Sequence, residues 1–130
     1  MNRLALVCIT LLSPWVLPAF GAVAPTYDGK KQALDTVIAS NDLQQLNQFV
    51  EEYRGTGWDT TAIWYRDKLA VDIAKKDGSV GALNSFLEKY PNSSWYNHTV
   101  YFRDKSAYRQ VKLINTLPAY NRFLEKYPNS

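Results

Sequence analysis

The eight-residue string FLEKYPNS occurs at residues 86–93 and again at 123–130, an interval of 37. Another 37 residues before Phe86 stands Phe49, inside FVEEY, a looser copy of the same text. An identity of that length at a fixed spacing requires the chain to build one local structure several times and pack the copies together. A period in the thirties is the span of one helix pair, so the expected fold is all-α. The expected architecture is a short α-solenoid of stacked antiparallel helix pairs, about six helices in all.

Segment boundaries keep the same period. Asp42, Ser79 and Thr116 stand 37 apart. Each is an N-cap residue type whose side-chain oxygen can accept from the free amides of a first helical turn. Helices are expected over 43–54, 80–90 and 117–127. Pro118 is tolerated near the start of the last one, because first-turn amides have no helical partner. Each carries an i, i+3, i+4, i+7 apolar stripe: Leu46, Phe49, Val50, Tyr53; then Leu83, Phe86, Leu87, Tyr90; then Tyr120, Phe123, Leu124, Tyr127. Arg54-Gly55, Pro91-Asn92 and Pro128-Asn129 should stop them. Lys30–Ala39 reads as a first helix, from the spacing of Ala33, Leu34, Val37 and Ile38.

Longer helices are expected over 59–76 and 96–114. Residues 58–93 and 95–130 share 16 of 36 positions, Arg66/Arg103, Asp67/Asp104 and Ala70/Ala107 among them. The paired alanines suggest close helix crossings, and the arginines suggest ion pairs with the repeated Glu51, Glu88 and Glu125 on neighbouring helices. A helix ending FLxxYPxS, followed by a longer helix carrying RD and a small residue, resembles the tetratricopeptide-like repeats of bacterial envelope proteins. The resemblance covers about residues 30–130, although its period is 37 and it lacks the Trp-Leu-Gly opening of the standard repeat. It implies a scaffold class and names no partner.

Residues 1–21 read as a secretory signal: Arg3, an apolar run over 4–12, and the small-x-small site Ala19-Phe20-Gly21. Cleavage after Gly21 would leave a linker over 22–29 and a repeat domain over 30–130, in a periplasmic or secreted protein. The apolar run is too short for a comfortable span and Pro14 and Pro18 interrupt its continuation, so no stable membrane anchor is expected. Cys8, the only cysteine, falls inside that run and lacks a lipoprotein context; without it no thiol chemistry or disulfide remains. The formal charge of +3 falls to +2 once Arg3 is removed. So small an excess does not indicate a nucleic-acid partner.

Residues that recur in every repeat are explained by local structure, whereas chemistry is needed once. Glu51, Glu88 and Glu125, with Asp67 and Asp104, recur; His98 stands alone and an exposed first-turn histidine is ordinary. No catalytic, metal or cofactor site is therefore expected. The aromatic residues offer the better opening: Trp58, Trp64, Tyr65, Trp95, Tyr96, Tyr101 and Phe102 cluster at the starts of the two longer helices. Packing between repeats accounts for most of them, and Trp64 and Tyr101, equivalent and off the main stripe, are expected to be exposed. Trp and Tyr are favoured at protein interfaces. The expected function is a non-enzymatic exported scaffold that binds another envelope or secreted protein. The alternative is the helical part of a peptidoglycan-acting enzyme such as a lytic transglycosylase. The text stops one helix into a third copy. That would leave Tyr120, Phe123, Leu124 and Tyr127 partly uncovered, to be relieved by a longer parent chain or by a covering dimer mate (self-association) or partner.

Overall fold

The computed structural model describes residues 26–130. The leader expected over 1–21, Cys8 and most of the linker lie outside the described residues. Six helices make up the fold: α1 (Tyr27–Ser40), α2 (Leu43–Glu52), α3 (Trp58–Asp77), α4 (Val80–Lys89), α5 (Tyr96–Ile114) and α6 (Leu117–Lys126), with no strand among the described residues. None of these helices is long and apolar enough to cross a membrane. The first helix starts three residues earlier than the sequence suggests. The Thr26 side chain accepts from Gly29 N at 3.3 Å. Gly29 therefore lies within the first turn and does not break the chain.

Three joints have one design at the repeat interval. Asn41, Gly78 and Asn115 each take left-handed geometry, with φ of 51°, 72° and 50°. Each is followed by an extended cap residue, Asp42, Ser79 or Thr116. Gly and Asn tolerate that conformation at helix C-termini, which is why these two types alternate there. Asp42 accepts from Gln44 N and Gln45 N, and Ser79 from Ala82 N. Thr116 occupies the cap position but its side chain makes no capping bond, contrary to the sequence-based expectation. These two-residue joints connect α1 to α2, α3 to α4 and α5 to α6. The last short helix is thus joined to a partner already in the chain: α6 folds back along α5, with Tyr108 meeting Tyr120 and Phe123.

Small residues let the short and long helices approach closely. Ala62 on α3 and its counterpart Thr99 on α5 are both 0% exposed. Thr99 Oγ1 donates to Trp95 O at 2.8 Å, so burial leaves no orphan hydroxyl there. Around Ala62 pack Leu34, Phe49, Val50 and Tyr53; around the α4 stripe pack Ala70, Val71, Ala74, Leu83, Phe86, Leu87 and Tyr90. Ala70 and Ala107 are buried as the crossing argument requires. Fully burying a side chain such as Leu83 stabilises by about 1.5–3 kcal/mol.

The repeated arginines do not reach the repeated glutamates. Arg66 bonds the next residue, Asp67, at 2.7 and 2.9 Å, and Arg103 bonds Asp104 at 2.7 and 2.8 Å. Each guanidinium lies over a tyrosine, Arg66 4.9 Å from the Tyr90 ring centre and Arg103 5.1 Å from that of Tyr127. Asp67 and Asp104 are buried, so their charge is held by the adjacent arginine and shielded by the ring. Glu51 pairs within its own turn with Arg54, while Glu88 and Glu125 are exposed. Tyr127, expected to be partly uncovered, is buried by this stacking.

Candidate functional site

Five of the seven aromatic residues singled out in the sequence come together, while Tyr96 packs against the core cluster around Leu83. Trp64 on α3 meets Tyr65 edge-on at 5.0 Å and the Trp95 ring at 5.8 Å. Trp95 meets His98 at 6.0 Å, His98 meets Phe102 at 4.8 Å, and Phe102 meets Tyr101 at 5.5 Å. The result is a ladder of six rings crossing from α3 to α5, mostly in the edge-to-face or tilted contacts that ring quadrupoles favour.

The helix geometry explains the alignment. Trp95, His98 and Phe102 are spaced i, i+3, i+7 and form one stripe on α5. Trp64 reaches this stripe at its start, while Ser106 Oγ donates to Gly78 O at 2.9 Å just past the end of α3. The two long helices therefore run side by side in the same direction. Along the ladder Trp95 and Phe102 are half-buried, whereas Trp64 is 44% exposed and Tyr101 59%. Tyr65 and His98 are also exposed.

Lysines rim the rings. Lys68 Nζ stands 5.7 Å from the Trp95 ring centre, Lys75 Nζ 4.3 Å from that of Phe102, and Lys105 Nζ 5.8 Å from that of Tyr101. Lys68 also pairs with Asp72 one turn along at 2.5 Å. Lys75 Nζ is 3.5 Å from His98 Nε2. The neighbours of His98 are thus an ammonium group and two rings. Asp67 and Asp104, two of the repeated acids, are each buried against their own arginine. Among the described residues no three His, Cys, Asp or Glu side chains gather as metal ligands would.

Trp58 stands apart from the ladder. Its ring meets Tyr27 of α1 at 5.1 Å and packs on the cluster around Ala62. Sequence reasoning weighed His98 as an ordinary exposed first-turn residue and did not place Lys68 or Lys75 beside the rings. The signal for His98 was present in its spacing from Trp95 and Phe102; the lysines carried none, because their role depends on rings from another helix.

The chain matches no protein family, no curated protein and no solved structure.

Proposed function

We propose that this chain is a short tetratricopeptide-like α-solenoid, exported to the periplasm or beyond, that binds another envelope or secreted protein and catalyses nothing itself. The observation that carries the reading is the six-ring ladder across α3 and α5. Trp and Tyr supply large, rigid contact area at low entropic cost and dominate the energetics of protein interfaces. Three lysines on its rim favour an acidic partner surface, which gives orientation and faster encounter. The recurrence of caps, left-handed joints and Arg–Asp–Tyr units at 37 residues supports a repeat scaffold. The leader text over 1–21 supports export.

The test is crosslinking in intact cells followed by capture from the envelope fraction, with the tag placed after Ser130 so that the leader stays free. A single partner in constant ratio to the bait is expected. Trp64→Ala combined with Tyr65→Ala should lower its recovery by about tenfold, the loss of a modest hot spot, with the circular dichroism melt unchanged. Recovery that is indifferent to both substitutions would remove the ladder from the interface. Recovery of wall fragments alone would replace the protein partner with a carbohydrate.

A further inference from the structure

The three two-residue joints share a backbone design, but the third departs from the others in what it shows to solvent. Where α1 ends in Ala39-Ser40 and α3 in Lys76-Asp77, α5 ends in Leu113-Ile114. Both positions are exposed in the first two copies as well, although further helix pairs follow those joints. This register therefore faces solvent whatever comes after it, and here it carries two aliphatic side chains, Leu113 at 87% exposure and Ile114 at 58%. Leu117 is a different case, since its counterparts Leu43 and Val80 are half-buried. Charge departs from the repeat at the same place. Residues 105–124, the arms of this joint, hold four cations (Lys105, Arg109, Lys112 and Arg122) and no acid. The equivalent 68–87 holds three cations and two acids, and 31–50 one cation and two acids. The joint also stands forward. Ser106 Oγ bonds Gly78 O at the end of α3, so the eight residues from Ser106 to Ile114 carry α5 about 12 Å past its neighbour.

We propose that the α5–α6 joint docks reversibly on a lipid bilayer that contains anionic headgroups. Leu113 and Ile114 enter the boundary between headgroups and acyl chains, as the apolar side of an interfacial helix does. Lysine and arginine keep their charged heads at the phosphates while their stems lie along apolar surface. Each cation near an anionic leaflet adds to the attraction. Residues 112–118 are exposed without interruption, which makes the joint a convex tip. An acidic protein is the poorer occupant. A specific protein interface buries about 800 Å² on each side, more than so narrow a tip presents, whereas a bilayer needs only side chains that stand forward. The contact is with the surface, since none of the described helices can cross a membrane. It is independent of the ladder, whose rings lie toward the other end of α5.

The test places a polarity-sensitive fluorophore on the full chain by Leu113→Cys, in a Cys8→Ser background so that one thiol is labelled. Vesicles of equal parts phosphatidylglycerol and phosphatidylcholine are titrated in. A blue shift that saturates with lipid is expected, and the same label placed by Lys76→Cys, the equivalent position on the α3–α4 joint, should not shift. Association through any other part of the chain leaves position 113 in water, so the comparison isolates the tip. Lys112→Gln with Arg122→Gln should raise the half-saturating lipid concentration by about tenfold or more. Both residues are exposed, so the melt should not move; Ile114→Asp, also at an exposed position, gives the same reading if it does. No shift at position 113, or an equal shift at position 76, overturns the proposal. So does an equal response to phosphatidylcholine alone, which would leave the cations without a role. A response to soluble polyglutamate as strong as to vesicles would make an acidic protein the occupant. One that grows with protein concentration in the absence of lipid would make it a second copy, and either result overturns the bilayer.

Discussion

Tyr90 does two opposed things. Its ring supports the guanidinium of Arg66, which in turn neutralises buried Asp67, yet its own hydroxyl is buried with no hydrogen-bond partner. An orphan polar group of this kind costs about 1–3 kcal/mol, while the stacking depends on the ring alone. Tyr90→Phe should therefore raise stability by about 1 kcal/mol in urea unfolding, and a loss of stability would mean that the hydroxyl has a partner. Asp59 carries a different burden at the turn between α2 and α3. Its carboxylate accepts from Gly55 N at 2.6 Å, Thr60 N at 3.0 Å and Gly57 N at 3.1 Å. The bond from Gly55, above all, holds its pKa below the usual carboxylate value. A carboxyl depressed on folding stabilises above its unfolded pKa, and the contribution is lost as pH falls through the folded value. The protection of the Gly55 and Gly57 amides, exchange compared with the intrinsic rate at the same pH, should fall on acidification below the ordinary carboxylate range, and Asp59→Asn should show reduced protection already at neutral pH. A variant still protected like the parent would relieve Asp59 of that role.

Among the helices, the three joints form an internal comparison. Asp42 and Ser79 cap α2 and α4 through their side chains and Thr116 leaves α6 without such a bond. Asp42→Ala and Ser79→Ala should each cost about 1 kcal/mol in thermal unfolding, and Thr116→Ala close to none. Equal losses at all three would mean that Thr116 caps in solution. What the sequence revealed at this scale, it revealed through repetition. Helix periodicity and cap types at a constant interval located α2, α4 and α6 to within two residues and α5 end for end. The start of α1 was misplaced because Gly29 reads as a breaker, although a first-turn glycine gives up little. The arginine pairings were misassigned for a related reason. Sequence shows that Arg66 and Asp67 recur together, but an i, i+1 pair does not share a helix face. Only the curl of the long side chain around its own turn brings them into contact.

At the level of the whole molecule, the exposed and the buried aromatic residues come from one periodic arrangement. Where a neighbouring helix covers an aromatic residue it joins the core, as Trp58 does; where none does, the same residue type stays exposed, as Tyr101 does. That is why the sequence could name Trp64, Tyr65, Trp95, Tyr101 and Phe102 as a group but could not separate Trp58 from them. Residue type and spacing are the same on both sides of the division, and only the neighbour differs. The two-residue joints have a consequence of another kind. Each closes a pair of helices at almost no loop-closure entropy, and the main packing runs between helices that adjoin in sequence, with α1 against α3 and α3 against α5 reaching past one helix. Contacts so local favour fast assembly. A pair needs only about its own length of polypeptide to form, so whatever machinery delivers the chain end-first can release it one finished hairpin at a time, and no stage need wait for the last residue.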